Sequence, residues 1–183
     1  MLVTVPAEQG LRQATGSLIM TLGRNMKSSL QAELDALLLW MGDKSAQTFQ
    51  TGLSDSEIDA LTHNTPYRIS EELRTLYKWR NGQRFDDERG IRLPFSIYAF
   101  LPLDYAVDRA LHLAEMSEDW KETWLPILSN GAGDDYFCDC SIHSPESAVY
   151  YYFLYSESEN RVEPKFTSVR ELLNGIIQET DEN

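Results

Sequence analysis

The stretch WLPILSNGAGDDYFCDC, from Trp124 to Cys140, decides the fold of this 183-residue chain. Its centre, Asn130–Gly133, consists of residues that tolerate the positive φ angles of a hairpin turn. The flanking segments TWLPILS and DYFCDC are rich in strand formers, so we predict two strands joined by this turn. Alternation along the second strand puts Tyr136 and Cys138 on one face and Phe137 on the other.

Two other interpretations of the same turn fit the residues less well. A phosphate-binding loop has a lysine and a hydroxyl after its glycines, whereas Asp134 and Asp135 stand here. A calcium loop needs carboxylates at alternate positions closed by a late glutamate, and Asp134, Asp135 and Asp139 do not follow that order. We therefore expect no metal and no cofactor at the turn.

The composition predicts a cytoplasmic protein with a packed core. Hydrophobic residues make up 42% of the chain, and its longest apolar cluster, Ala36–Met41, is too short to span a bilayer. The N-terminal sequence MLVTVPAEQG does not have the pattern of a secretory signal. The two cysteines, Cys138 and Cys140, are poorly spaced for a disulfide and too few for structural zinc, so reduced, partly buried thiols are expected.

The net charge of −13 is concentrated in the last third of the chain. Residues 110–183 hold fifteen acidic and four basic residues, whereas residues 1–52 are balanced and residues 53–109 carry −2. This potential repels nucleic acid and anionic membranes, and it would speed association with a basic partner. The alternative is that the acidic residues serve only solubility.

Apolar residues at steps of three and four predict helices in the first half of the chain. One long helix, or two with a break near Lys27–Ser29, covers about residues 15–41. A second helix begins at the N-cap Ser54, and Glu57 completes its capping box. A third runs from about Ser70 to Trp79 and is followed by Asn81–Gly82, a pair suited to a left-handed helix end.

The second half of the chain predicts strands. SIYAFLP (96–102), the two hairpin segments and AVYYYFLY (148–155) are strand-like, and a helix begins near Asp104. TSVRELLNGIIQE, with Ser168 as N-cap, predicts a closing helix. The fold class is therefore α+β, with an antiparallel sheet covered by helices. We divide the chain into an N-terminal helical arm, residues 1–52, predicted to pack on the main domain, and an α+β domain, residues 53–183.

Three segments together resemble the SUKH superfamily: LSDSEIDAL (53–61), TPYRISEELRTLYKWRNGQ (65–83) and WLPILSNGAGDDYFCD (124–139). The residues that match are Ile58, Leu73, Tyr77, Asn81, Gly82, Trp124, Pro126, Ile127, Gly133, Asp134 and Asp139. TSVRELL, which starts at Thr167, is similar to the terminal helix of the family. The resemblance covers roughly residues 53–180, and one departure is Thr65–Pro66, where the family has leucine and proline.

The resemblance implies an antiparallel sheet covered by helices and no catalytic machinery. Bacterial members commonly neutralise a secreted toxin, often a nuclease, by binding it, and fungal members are scaffolds in signalling and cell-wall synthesis. The residues of this chain agree, because none of its histidines lies in a zinc-binding H-E-x-x-H pair and no G-x-S-x-G elbow is present. His112 and Glu115 form half of a carboxylate metal motif without a second copy, so both are expected to be solvated.

The sequence leaves two interpretations open for the cysteines and for the tyrosine run. Cys138 or Cys140 would be a nucleophile only beside a base, and a core thiol is the favoured interpretation. In the run Tyr150–Tyr152 the central Tyr151 takes one face of the strand and its neighbours take the other. Either packing within the sheet or a protein interface fits these rings.

We therefore predict a binding protein that is not an enzyme, most simply a bacterial immunity protein that blocks a basic toxin domain. The alternative is an intracellular scaffold or regulator of the cell-wall-assembly type, and an unrecognised enzyme would be indicated by a pocket holding His112 or Cys138. No nucleic acid or membrane partner is expected, and the chain should be a monomer or weak homodimer. The predicted partner contacts are Asp134, Asp135, Asp139, Glu115, Glu118, Asp119, Glu122 and Tyr151.

Overall fold

The computed structural model describes residues 29–41, 46–84, 98–155 and 162–178. Its helices are α1 (Leu30–Met41), α2 (Asp55–Thr62), α3 (Glu71–Trp79), α4 (Leu103–Met116) and α5 (Val169–Gln178). Its strands are β1 (Phe49–Thr51), β2 (Arg80–Gln83), β3 (Ala99–Phe100), β4 (Trp124–Ser129), β5 (Asp134–Asp139), β6 (Val149–Phe153) and β7 (Val162–Phe166). The predicted α+β class is confirmed.

The main sheet is an antiparallel meander. Its five strands lie in the order β3-β4-β5-β6-β7, so each strand pairs with the next one along the chain. Trp124 lies opposite Asp139 and Ser129 opposite Asp135, which confirms the hairpin predicted from the opening stretch. β1 and β2 form a separate antiparallel pair.

The sheet has an apolar cluster on each face. Cys138 belongs to the cluster that also contains Leu73 of α3 and Leu172 of α5. Phe137, its neighbour in β5, belongs to the other cluster, which α4 covers with Leu113. The alternation predicted for β5 is therefore confirmed, and helices bury both faces of the sheet as the fold class requires.

The predicted helix starts are found at their N-caps. Ser54 Oγ accepts from the backbone N of Glu57 at 3.3 Å, and Glu57 Oε2 accepts from Ser54 N at 2.7 Å. Ser70 Oγ accepts from Leu73 N at 3.1 Å. These contacts satisfy backbone donors that have no partner within the helix.

The predicted end of α3 at Trp79 is confirmed, but Asn81–Gly82 does not form the left-handed helix end that was predicted. The helix ends at Trp79, and the next residue, Arg80, is already extended at φ −152° and begins β2. Gly82 does have a positive φ of 65°, but it lies inside β2, where the backbone of Leu101 leaves no room for a Cβ. The asparagine has a different role, because Asn81 Oδ1 accepts from Leu103 N at 2.8 Å and so caps α4.

Helix α1 packs on the main domain. Leu34 and Leu37 are fully buried in the cluster that contains Leu73. Asp35 Oδ1 accepts from Trp79 Nε1 at 2.9 Å across the α1–α3 contact. Residues 15–28 of the predicted long helix lie outside the described residues, and the helical arm with its division at residue 52 stays a prediction.

The buried carboxylate of Glu72 connects three segments of the chain. Its Oε2 accepts from the backbone N of Ser147 and of Val169, each at 3.0 Å, and Oε1 accepts from Arg170 N at 3.4 Å. Val169 and Arg170 open α5, so the negative charge lies where backbone N–H groups at a helix start attract it. Glu72 thereby fixes α5 and the loop before β6 against α3.

Candidate protein-binding site

The turn between β4 and β5 is built by one asparagine and two glycines. Asn130 Oδ1 accepts from Ala132 N at 2.8 Å and from Asp134 N at 3.1 Å. Gly131 and Gly133 have φ angles of 71° and 112°, which residues other than glycine rarely adopt. The turn is thus stabilised by its own residues.

Asp135 is buried and paired within the protein. Its side chain is 0% exposed, and Arg109 of α4 approaches it with Nη2 at 2.8 Å from Oδ2 and Nε at 3.4 Å from Oδ1. Burial, which lowers the pKa of Arg109, is outweighed by the hydrogen bond and charge of Asp135, so the pKa is raised. The carboxylate that we predicted as a partner contact instead joins α4 to the sheet, and we remove it from the candidate surface.

The other two carboxylates near the hairpin are partly buried and accept local hydrogen bonds. Asp134 Oδ2 accepts from Asn130 Nδ2 at 2.9 Å. Asp139 Oδ1 accepts from Thr123 Oγ1 at 3.1 Å and from Ser141 N at 2.9 Å. These bonds hold the two ends of β5, so the hairpin presents little free carboxylate to a partner.

Helix α4 exposes a line of acidic residues. Its buried side faces the core with alanines and leucines: Leu103, Ala106, Ala110 and Leu113. The exposed side carries Asp104, Asp108 and Glu115, which are spaced four and seven residues apart. At about 100° per residue this spacing keeps the three carboxylates within roughly 40° of the helix circumference.

The loop after α4 extends the acidic line. Glu118, Asp119 and Glu122 are all exposed. The loop is anchored by Trp120, which is buried and packs edge-on against Trp124 with ring centroids 5.4 Å apart. The described segment 103–123 therefore exposes six carboxylates, and its two bases are Arg109, paired with Asp135, and Lys121.

Apolar side chains lie among these acids. Leu111 is 62% exposed, and Tyr105 and Met116 of the same helix are also exposed. Tyr155, which follows β6, is 72% exposed, and both Tyr155 and Tyr105 lie near enough to Arg109 to contribute to its raised pKa. Tyrosine and methionine are among the residues enriched at protein interfaces.

We define the α4 surface as the exposed residues of α4, the loop after it and Tyr155. Its members are Asp104, Tyr105, Asp108, Leu111, His112, Ala114, Glu115, Met116, Glu118, Asp119, Lys121, Glu122 and Tyr155. Four of them, in α4 and its loop, were predicted as partner contacts. Asp104 and Asp108 were missed, although their spacing with Glu115 opposite Ala106 and Ala110 is a helical signal in the sequence.

Tyr151 is buried among aromatic side chains of the sheet and is not part of the α4 surface. It is 8% exposed, and its hydroxyl is hydrogen-bonded to that of Tyr98. Its ring lies 4.7 Å from that of Tyr136 and 4.3 Å from that of Phe153. Burial and the hydrogen bond of Tyr98 raise its pKa, so the phenol stays neutral. Of the two interpretations left open for this residue, packing within the sheet fits its position.

The two cysteines are core thiols. Cys138 is fully buried and Cys140 nearly so, and neither forms a disulfide. Burial, together with the charge of Asp139, raises the pKa of Cys140 to about 12, and burial raises that of Cys138 well above its ordinary value. Neither residue is therefore a thiolate at neutral pH, the form that acts as nucleophile and metal ligand. Among the described residues, no three His, Cys, Asp or Glu side chains are grouped to hold a metal ion.

The fold and the α4 surface together define a domain that presents a charged helix face beside a five-stranded antiparallel sheet. Residues 52–175 match the SMI1 / KNR4 family (SUKH-1), and the chain belongs to this family. It is therefore a SUKH-domain protein, and SUKH domains are protein-interaction domains. No curated protein matches the chain. In the part of the chain that the structure describes, the helices are too short or too polar to cross a membrane.

Proposed function

We propose that this protein is an immunity protein that neutralises a basic toxin domain by binding it through the α4 surface. The carrying observation is the concentration of six exposed carboxylates in residues 103–123. A toxin that acts on nucleic acid must present lysine and arginine to phosphate, and a carboxylate surface can occupy those residues in place of the substrate. Complementary charge also speeds association, which suits an inhibitor that must bind before damage occurs.

The proposed mechanism is occlusion without chemistry. The chain's own thiols are buried and neutral, as described above, and the carboxylates at the hairpin accept hydrogen bonds within the protein. The acidic side chains of the α4 surface are exposed, so they are accessible to another protein. The bound toxin would be blocked because its basic residues face α4 and not phosphate.

The direct test is co-expression with the toxin encoded by the neighbouring gene, followed by a binding titration at rising salt. We expect cell survival and a dissociation constant that increases steeply between low and physiological salt, because exposed charge pairs are screened. Absence of protection would overturn the immunity function, and affinity that does not change with salt would overturn the electrostatic mechanism. Binding to a housekeeping protein without protection would favour the alternative, an intracellular scaffold or regulator.

A further inference from the structure

We infer that Leu111 is the apolar anchor of the α4 surface and that the partner presents an apolar pocket ringed by lysine or arginine. This inference rests on the proposed function and deepens it by naming the chemistry of the partner. Leu111 is 62% exposed in the middle of the acidic line of α4. It follows Asp108 by three residues and precedes Glu115 by four, spacings that place Cβ atoms about 5–6 Å apart on a helix.

The position of Leu111 is not explained by packing within the described residues. The helix buries its opposite side, with Ala106 and Ala110 in the core. Of the exposed positions around Leu111, 108 and 115 carry acids, whereas 112 carries histidine and 114 alanine. A polar residue at 111 would serve solubility better than leucine, since exposed apolar area lowers it. An apolar side chain between two carboxylates can form the centre of an interface, where water is lost while the charged rim stays solvated.

Charge decides which partner can cover this surface. If two copies of this chain met through α4 around a twofold axis, Asp108 and Glu115 of one copy would approach the same carboxylates of the other. Like charges in contact oppose such a dimer, and nucleic acid is repelled for the same reason. The partner is therefore a protein whose lysine or arginine residues pair with the acidic line of α4. An apolar pocket between those residues receives Leu111.

The test uses two synthetic helical peptides of equal positive charge. One carries lysines with leucines along a single face, and in the other every leucine is replaced by glutamine. Each is titrated into the full-length protein, and backbone amide signals are followed by NMR. We expect the leucine peptide to bind about tenfold more tightly than the glutamine peptide and to shift the signals of residues 104–116. Leu111→Ala should remove that difference and leave the salt dependence unchanged.

A matched control is Leu39→Ala in α1, since Leu39 is 77% exposed but lies outside the α4 surface. This variant should bind the leucine peptide like the unchanged protein. Equal affinity for the two peptides, no effect of Leu111→Ala, or signal shifts outside α4 would each overturn the inference. A homodimer of the protein alone that Leu111→Ala dissociates would identify a second copy as the occupant and would overturn it too.

The outcome is separable from that of the co-expression experiment. If the neighbouring toxin is neutralised but Leu111→Ala protects as well as the unchanged protein, the anchor is wrong and the immunity function stands. If the leucine peptide binds at α4 but no protection is found, the basic and apolar chemistry of the partner stands and the toxin is wrong.

Discussion

Glu72 and Glu71 are adjacent acidic residues of α3 with opposite surroundings. Glu71 is exposed, whereas Glu72 is buried and accepts hydrogen bonds from the backbone of Ser147, Val169 and Arg170. A buried N–H group without an acceptor is costly, and Glu72 provides the acceptor for these three backbone N–H groups. Glu72 is therefore a structural residue. Its role follows from contacts about 75 to 98 residues away in sequence.

We predict that Glu72→Ala lowers the free energy of unfolding by about 3 kcal/mol, because three backbone donors lose their acceptor. Glu71→Ala is the matched control and should change stability by less than about 0.5 kcal/mol. Urea unfolding followed by circular dichroism measures both values. Similar stabilities for the two variants would show that the hydrogen bonds of Glu72 are not needed.

The hairpin glycines allow a second comparison at the residue scale. A Cβ at Gly133 would lie 2.6 Å from the ring of Tyr155, and the residue has a φ of 112°. Gly131 also has a positive φ, of 71°, but a Cβ there meets nothing within 4 Å. Gly133→Ala should therefore cost about 2 kcal/mol more than Gly131→Ala, as measured by thermal or urea unfolding. Equal costs would mean that Tyr155 moves aside freely.

Single residues were predictable from the sequence where the signal is local. The turn at Asn130–Gly133 and the N-caps Ser54 and Ser168 follow from residue type and spacing alone. The burial of Asp135 was not predictable, because its partner Arg109 lies on a different element 26 residues away. An acidic residue in a net-negative region looks the same in sequence whether it is exposed or paired.

Helix α4 is held to the sheet by the pair of Arg109 and Asp135. Breaking a buried ion pair by removing one partner typically costs about 3–5 kcal/mol, because the remaining charge is left uncompensated. We predict a loss of this size for Arg109→Met. The double variant Arg109→Met/Asp135→Leu should lose less free energy of unfolding than the two single variants lose together. Additive losses in urea unfolding would contradict a direct interaction between the two side chains.

The start of α2 predicts a dependence of stability on pH. Hydrogen bonds from the side chain and backbone of Ser54 lower the pKa of Glu57 below its ordinary value of 4.5. A group whose pKa is lower in the folded state stabilises the protein above its unfolded pKa, and this contribution is lost as the pH falls through the folded pKa. Stability should therefore decline below about pH 4.5, and less so in Glu57→Gln. An identical pH profile for that variant would show that the capping box is not formed.

Elements were predictable in proportion to their length and apolar periodicity. Helices α2 and α3 and strands β4 to β6 lie where the pattern placed them. β7 was not predicted, since its sequence VEPKF has two charges and Pro164, features of an edge strand with few buried side chains. β1, with three residues, is too short to give a pattern.

The distribution of charge over the whole molecule carries the functional proposal. The chain has a net charge of −13, and the fold gathers one group of exposed acids on α4 and the following loop, while acids at the hairpin are partly or wholly buried. Which acids are gathered could not be predicted, because it depends on which side of α4 covers the sheet. Long-range attraction scales with net charge, but a docking surface depends on where the charges lie.

The most direct test of this account therefore makes the same change of charge at two places on the protein and compares the results. Asp108→Lys/Glu115→Lys reverses two acids of the α4 surface, and Glu71→Lys/Glu146→Lys reverses two exposed acids elsewhere. Both variants have the same net charge, and each is co-expressed with the toxin proposed as its partner and titrated against it at low salt. We predict that the α4 variant loses protection and at least about a hundredfold in affinity, whereas the control keeps both within about threefold. Equal losses in the two variants, or full protection by the α4 variant, would contradict the claim that α4 is the docking surface.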